Sequence, residues 1–96
     1  MTKLVSTDKN FQKVLKILAM NIRHFRTVKN LSQVELGLRA ELSPSYITDI
    51  ELCKKNVKVS TIVALANALE IEPYELFVSD RDVYLGKSRI DSKNNI

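Results

Sequence analysis

Glycine and proline are scarce in this chain, with two of each among 96 residues. That scarcity argues against a turn-rich β-sandwich or β-barrel and favours helices joined by short connections. Hydrophobic residues make up 45% of the chain, which is ordinary for a globular protein and argues against general disorder. A chain of this length holds one domain with short extensions.

Cysteine and histidine occur once each, as Cys53 and His24. A lone cysteine cannot form an intrachain disulfide, and metal sites need several ligands at set spacings, so we expect no metal and no cofactor. No apolar run is long enough to cross a bilayer, and residues 1–10 lack the apolar core of a signal peptide, so we expect a cytoplasmic protein. The absence of a Ser/His/Asp set or a glycine-rich phosphate loop argues against an enzyme.

Charge is distributed in blocks, although the net charge is only +4. Residues 1–30 hold seven Lys or Arg and one acid, and residues 52–60 hold three Lys and no acid. Residues 31–51 hold one Arg and four acids, and residues 61–80 hold four acids and no base. Two basic blocks fit a polyanionic partner better than the modest net charge does alone.

Apolar residues recur at helical spacing along most of the chain. The first predicted helix runs from Phe11 to about Lys29, on a stripe made of Phe11, Val14, Leu15, Leu18, Ile22 and Phe25. Ser32 and Glu35 form a capping-box pattern for a second helix that ends near Ala40. Residues 1–10 are then an N-terminal extension, residues 11–78 the domain, and residues 79–96 a tail that is flexible or assists a dimer.

A third helix is predicted from Pro44 to about Leu52, because Ser43 is a good N-cap and proline suits the first helical position. A basic loop over residues 53–59 follows it. Ser60 is expected to cap a fourth helix, and Pro73 to begin a short fifth one.

The second and third helices are short, and only about three residues separate them. Such a connection forces a steep crossing, which is typical of a DNA-binding helix-turn-helix. The second helix of that motif enters the major groove, so small polar residues should line its start. Ser43, Ser45, Thr48 and Asp49 meet that demand. A short helical hairpin in an ordinary bundle is the alternative interpretation of the spacing alone.

Residues 21–77 resemble the Xre-type, lambda-repressor-like helix-turn-helix family. The matching stretches are Asn21–Arg26, Leu31–Leu36, Leu42–Glu51 and Ala66–Phe77. The resemblance implies an all-α, five-helix domain that binds double-stranded DNA through its third helix, usually as a homodimer on a pseudo-palindromic operator. The loop Lys54–Ile62 is similar to that of controller proteins from restriction-modification systems, which are small autoregulators. Phage repressors and antitoxins share the fold.

The resemblance also implies roles for single residues. Those expected to contact bases are Ser43, Pro44, Ser45, Thr48 and Asp49. Those expected to contact phosphates are Arg23, Arg26, Gln33, Tyr46, Lys54, Lys55, Asn56 and Lys58. Those expected at a dimer interface are Leu69, Ile71, Tyr74 and Phe77. Arg26 and Glu51 are expected to form an ion pair that ties the first helix to the end of the third.

Each role has a plainer alternative. Gln33 and the lysines can simply be solvated, Tyr46 can be a core tyrosine, and Arg26 and Glu51 can be unconnected surface charges. A second function also stays open, an antitoxin-like or anti-repressor module that binds a protein. Its partner would face the acids Glu35, Glu41, Asp49 and Glu51.

The chain departs from the family pattern in several places. Glu41 stands where the turn between the two helices usually has glycine, and Gly37 stands where alanine is usual. Leu52 and Cys53 replace the usual Asn-Gly. Pro44 allows only apolar contact with a base, and no Arg or Lys lies between Leu42 and Leu52, so the Arg–guanine contact is not available from this helix.

Overall fold

In the computed structural model, which describes residues 8–79, the chain is all-helical and that range contains no strand. The elements are α1 (Lys9–Val28), α2 (Gln33–Ala40), α3 (Pro44–Glu51), α4 (Val59–Leu69) and a 3-10 helix (Pro73–Phe77). The predicted all-α fold is confirmed, and the fifth predicted helix is this single 3-10 segment. Most of the predicted N-terminal extension and tail, residues 1–7 and 80–96, lies outside the described residues.

Side-chain caps fix the starts of the first three helices. Asp8 accepts a hydrogen bond from the backbone N–H of Phe11 at 2.9 Å, so α1 begins two residues before the predicted start. Ser32 and Glu35 form the predicted capping box. Ser43 accepts from the backbone N–H of Tyr46 at 3.1 Å, and Pro44 follows it as the first residue of α3.

The predicted cap of the fourth helix is wrong. Helix α4 begins at Val59, and its N-cap is Lys58, which makes no side-chain capping bond. Ser60 already lies inside the first turn. The loop before α4 is instead held by Val57, which packs against the hydrophobic core. The start of α4 is thus preceded by a partly buried apolar side chain and has no hydroxyl cap.

Every sharp change of direction between the helices is made by a residue other than glycine. Four such residues have φ between 57° and 62°, namely Asn30, Glu41, Cys53 and Glu70. That left-handed conformation costs an L-residue about 1–2 kcal/mol, because its Cβ crowds the following carbonyl. Glu41 therefore adopts the conformation that glycine usually supplies in the turn between α2 and α3.

Gly37 has a different task, in the last turn of α2. A Cβ placed on Gly37 would lie 2.5 Å from the backbone oxygen of Leu42. The missing side chain therefore lets α2 lie directly against the turn that leads into α3.

Each of the five elements contributes buried apolar side chains to the core. The largest fully buried ones are Ile22, Leu36, Ile47, Leu65, Leu69 and Leu76. Val14, which was assigned to the apolar stripe of the first helix, is instead exposed. Helix α3 packs against α1 and α2, and the 3-10 helix packs against α1 and α4.

Candidate nucleic-acid interface

The C-terminal end of α3 is tied to α1 by Glu51, whose side chain is only 2% exposed. Arg26 on α1 donates from Nε to Glu51 Oε2 at 2.7 Å and from Nη2 to Oε1 at 3.1 Å. Arg23 donates to the backbone oxygen of Glu51 at 3.1 Å. The predicted ion pair between Arg26 and Glu51 therefore exists, and it is bidentate and largely shielded from solvent.

Burial is the largest single influence on the Glu51 carboxylate and raises its pKa. The hydrogen bonds from Arg26 and Gln33 and the charges of Arg26 and Arg23 lower the pKa, and together they hold it below its usual value. Glu51 is thus an anion at neutral pH inside the protein, which a buried carboxylate can be only when donors surround it.

Glu51 also reaches the start of α2. Gln33 donates from Nε2 to Glu51 Oε1 at 3.0 Å, and its Oε1 accepts from the hydroxyl of Thr48 at 2.7 Å. The two helices of the helix-turn-helix are therefore joined by a chain of hydrogen bonds that runs from Arg26 through Glu51 and Gln33 to Thr48. The side chain of Gln33 is partly buried and hydrogen-bonded to the protein at both ends of its amide, so it is not simply solvated.

The side of α3 that was predicted to meet DNA is open to solvent. Ser43, Pro44 and Ser45 are exposed, and Thr48 and Asp49 are partly exposed. Ile47 and Ile50 point into the core instead. The helix therefore separates into a buried apolar side and an accessible polar side, as the sequence predicts.

The two arginines of α1 differ in accessibility. Arg23 has a side-chain exposure of 54%, and Arg26 of 17%. Arg26 commits three N–H groups to the protein, two to Glu51 and one to the backbone oxygen of Leu31 at 2.9 Å. The position of Arg26 thus makes it a brace for α3, whereas Arg23 can meet an external anion.

The polar side chains of the basic loop after α3 are accessible to solvent. Lys54, Lys55, Asn56 and Lys58 are all exposed. Lys55 Nζ lies 3.9 Å from Asp49 Oδ2, a long ion pair between two solvent-exposed groups. Tyr46 differs from the loop residues, because it is partly buried and packs against the core.

The predicted dimer residues do not form one exposed set. Leu69 is fully buried in the core of its own chain, so its assignment to an interface is wrong. Ile71 packs partly against that core. Tyr74 is 65% exposed and Phe77 is 39% exposed.

One residue that positions this segment was missed by the sequence analysis. The side-chain amide of Asn21, on α1, donates to the backbone oxygens of Leu76 at 2.9 Å and Val78 at 2.8 Å. Both amide hydrogens of Asn21 are thereby used to hold the 3-10 helix against α1. The partners lie more than 50 residues away in the chain, so no local pattern announces the contact.

The four acids named for the protein-interaction alternative do not all lie at the surface. Glu51 is buried, and Glu35 caps α2 by accepting from the backbone N–H of Ser32 at 2.8 Å. Asp49 faces Lys55. Glu35 and Glu41 are exposed and Asp49 is partly exposed, so Glu51 is the one acid of the four that is removed from the surface.

The described range offers neither a metal site nor a membrane-spanning helix. Residues 8–79 contain no group of three or more His, Cys, Asp or Glu side chains that could hold a metal ion. None of the helices described there has both the length and the apolar character that crossing a bilayer requires.

The fold and this surface together define a helix-turn-helix protein, and comparison with known proteins identifies the family. The helix-turn-helix family model HTH_3 matches residues 22–76. The chain belongs to this Xre-type family, whose members are transcription regulators that bind DNA.

Individual relatives agree with that assignment. The chain is 41% identical over 59 residues to control protein C.SmaI of Serratia marcescens, covering 62% of this chain and 70% of that protein. The structure is similar to restriction-modification controller protein C.AhdI from Aeromonas hydrophila, with a TM-score of 0.64 and 41% identity, covering 66% of this chain and 96% of that one. It is also similar to a hypothetical transcription factor from Neisseria, with a TM-score of 0.74 and 28% identity, covering 88% and 97%.

Proposed function

We propose that this chain is a sequence-specific transcription regulator that inserts α3 into the major groove of its operator. The observation that carries the proposal is the bracing of α3. Its C-terminal end is fixed to α1 through the buried Glu51, while Ser43, Pro44 and Ser45 at its start stay exposed. A rigid helix with an accessible polar start can read base edges, because the major groove admits an α-helix.

The proposed base contacts follow from the chemistry of the exposed side of α3. The residues are Ser43, Pro44, Ser45, Thr48 and Asp49. Pro44 offers apolar contact to a thymine methyl, and Asp49 accepts from a cytosine amino group. Because α3 holds no Arg or Lys, DNA shape and the basic loop must add to the specificity.

The proposed phosphate contacts come from Arg23 and the loop after α3, with Gln33 and Tyr46 at the rim of the surface. The loop residues are Lys54, Lys55, Asn56 and Lys58. Arg26 is left out of this set, because its guanidinium is engaged by Glu51 and Leu31. Gln33 uses one amide hydrogen on Glu51, and its second is available for a phosphate oxygen.

We propose that the regulator acts as a homodimer on a pseudo-palindromic operator, with Tyr74, Phe77 and Ile71 in the interface. The likeness to two restriction-modification controller proteins supports a role as an autoregulatory controller of such a system. An enzymatic role has no support in the relatives, which are transcription regulators.

A pair of matched variants tests DNA binding. Ser45 and Asn10 are both exposed and are the second residues of α3 and α1. An aspartate at either position is favourable to its helix, because the N-terminal end of a helix attracts negative charge. Ser45→Asp should therefore keep the fold and lose most of the DNA affinity, whereas Asn10→Asp should keep both.

The substrate for that comparison is the duplex that the wild-type protein enriches from a random library. Half-sites in that duplex should lie about one helical turn apart, or a multiple of it. Equal binding by the two variants would contradict groove entry by α3. Failure to enrich any duplex, together with co-purification of a second chain, would favour the protein-interaction alternative.

A further inference from the structure

The hydroxyl of Thr48 has a single hydrogen, and two oxygens of the protein itself lie within reach of it. Thr48 Oγ1 is 2.7 Å from Gln33 Oε1 and 3.1 Å from the backbone oxygen of Pro44. Both partners are carbonyl oxygens, which have no hydrogen to give. Thr48 must therefore be the donor in either bond, and its hydrogen is spent inside the protein. What its oxygen can offer to another molecule is a lone pair.

The orientation of the Gln33 amide supports Thr48 as the donor in its bond with Gln33. An amide turned the other way would place Gln33 Oε1 against Glu51 Oε1, two acceptors about 3 Å apart. Glu51 is an anion held by Arg26, so it demands the Nε2 donor of Gln33. The carbonyl of Gln33 is left facing Thr48. If the amide were nevertheless reversed, Pro44 would still take the hydroxyl hydrogen.

We propose that Thr48 reads DNA only as a hydrogen-bond acceptor and selects an exocyclic amino group, N6 of adenine or N4 of cytosine. This inference rests on the proposed entry of α3 into the major groove, where those two amino groups are the donors that bases present. Guanine offers only acceptors there, and so does thymine apart from its methyl group. A hydroxyl that could also donate would tolerate all four bases. A hydroxyl that only accepts favours adenine and cytosine over guanine and thymine.

The neighbouring residue has the same polarity. Asp49 is the next residue along α3, its side chain is 34% exposed, and an ionised carboxylate only accepts hydrogen bonds. Residues 44–51 contain no Lys or Arg to add a donor. The middle of α3 therefore offers two successive acceptors to the base edges. Gln33 and Glu51 act in this scheme as positioning residues: Gln33 accepts the hydroxyl hydrogen of Thr48, and Glu51 fixes the orientation of the Gln33 amide.

The test compares base preferences of the wild type, Thr48→Val and Thr48→Ser, each selected against the same random duplexes. Valine keeps the shape of the side chain without the hydroxyl, and serine keeps the hydroxyl. The base pair whose preference is lost in Thr48→Val and kept in Thr48→Ser is the one that Thr48 contacts. Every base pair presents one such amino group in the major groove, so we expect the strand orientation of that pair to bring its adenine or cytosine, and not its thymine or guanine, next to Thr48.

A second measurement compares two duplexes for each protein, so a difference in stability between the proteins does not affect the result. The amino group at that pair is deleted, using purine in place of adenine or 2-pyrimidinone in place of cytosine. Wild-type affinity should fall by roughly fivefold, the equivalent of one net hydrogen bond. Affinity of Thr48→Val should fall only by the smaller amount that the weakened base pair itself causes, which makes that variant the matched control.

The possible results separate the inference from the function on which it rests. An equal loss of affinity in wild type and Thr48→Val when that amino group is deleted would show that Thr48 accepts no hydrogen bond from it and would overturn the inference, with sequence-specific binding intact. A set of identical preferences in wild type and Thr48→Val would overturn it as well, because Thr48 would then read no base. If the wild type enriches no duplex at all, the proposed function fails and the inference fails with it.

Discussion

Arg26 donates hydrogen bonds to both carboxylate oxygens of Glu51, which lies 25 residues later in the chain. The same guanidinium donates to the backbone oxygen of Leu31, just before the start of α2. One side chain of α1 thus fixes the beginning of the helix-turn-helix and its end. The orientation of α3 is consequently a property of the whole bundle, and changes in α1 should be felt at the DNA-reading surface.

The first prediction concerns the dependence of stability on pH. The folded-state pKa of Glu51 is held below its ordinary value, despite the opposing effect of burial. A carboxyl with a lowered folded pKa stabilises the native state above its unfolded pKa, about 4.3, and loses that contribution as pH falls through the folded value. The free energy of unfolding should therefore decline as the solution is acidified below about pH 4.3.

Glu51→Gln isolates this contribution. At pH 7 the variant should lose about 3 kcal/mol of unfolding free energy, because Arg26 is left without its counter-charge. Its acid dependence should also be shallower than that of the wild type, as measured by urea denaturation at several pH values. Glu70→Gln is the control, since Glu70 is an exposed partner of Lys29 and should change stability by less than about 1 kcal/mol. Parallel pH profiles for wild type and Glu51→Gln would contradict the assignment.

The second prediction concerns the turn between α2 and α3. Glu41 has φ 59°, a conformation that glycine adopts without strain. Glu41→Gly should raise the free energy of unfolding by about 0.5–1 kcal/mol, the relief of left-handed strain less the entropy that glycine loses on folding. Glu41→Ala removes the same charge and keeps the Cβ, so it should bring no such gain. Equal gains in the two variants would trace the effect to charge instead of backbone strain.

The third prediction concerns Gly37, where the substitution tested introduces a Cβ instead of removing one. Replacing glycine inside a helix by alanine normally stabilises it by about 1 kcal/mol. At Gly37 the new Cβ would lie 2.5 Å from the backbone oxygen of Leu42. That atom belongs to the backbone and not to the end of a flexible side chain, so the turn itself would have to shift. Gly37→Ala should therefore destabilise the protein by about 1–2 kcal/mol in urea denaturation, since overpacking outweighs propensity. Leu38→Ala, at a neighbouring position that is 74% exposed, should stay within about 0.5 kcal/mol of wild type.

These turns also show where prediction from the sequence succeeds and where it stops. The starts of α2 and α3 were predicted, because Ser32 and Ser43 satisfy the first amides of helices that immediately follow them. Ser60 is an equally good capping residue by its side chain, but α4 begins before it, at Val59, where Val57 in the preceding loop packs partly buried against the core. Capping is worth about 1 kcal/mol, so a packed side chain nearby can override it.

Predictions about the site residues were also confirmed in part and corrected in part. Family position was enough to pair Arg26 with Glu51, but it placed Arg26 among the phosphate contacts although Glu51 occupies it. The resemblance also implies a place for Leu69 at a dimer interface, and the structure buries that side chain completely within its own chain. Helical spacing shows which apolar residues share one side of a helix. Only the packed structure shows whether that side contacts the same chain or another one.

The fourth prediction concerns the lysines after α3. Each phosphate that a protein neutralises adds about 0.9 to the slope of log affinity against log salt on duplex DNA. Lys54→Gln with Lys58→Gln should therefore flatten the slope for the selected operator and weaken all duplexes alike, as measured by fluorescence anisotropy over a salt series. Lys29→Gln is the matched control, because that ammonium lies 3.3 Å from Glu70 and is committed within the protein. An unchanged slope in the double variant would show that the loop does not contact phosphates.

The last prediction links Asn21 to the proposed dimer. Asn21 uses both amide hydrogens to hold the backbone oxygens of Leu76 and Val78, at the end of the segment that carries Tyr74 and Phe77. Asn21→Asp replaces that donor by a carboxylate that faces two carbonyl oxygens. It should cost about 2 kcal/mol of unfolding free energy, for two lost hydrogen bonds and the new repulsion.

The same variant should dissociate at a higher protein concentration than the wild type in sedimentation experiments, because the 3-10 helix is no longer fixed against α1. Asn10→Asp makes the identical change at an exposed position of the same helix and should alter neither property. Loss of stability with unchanged dimer affinity would place the interface elsewhere than Tyr74 and Phe77. Leu76 is fully buried and still anchors the segment in the variant, so a weakened dimer would reflect the altered position of those two aromatic side chains and not unfolding of the domain.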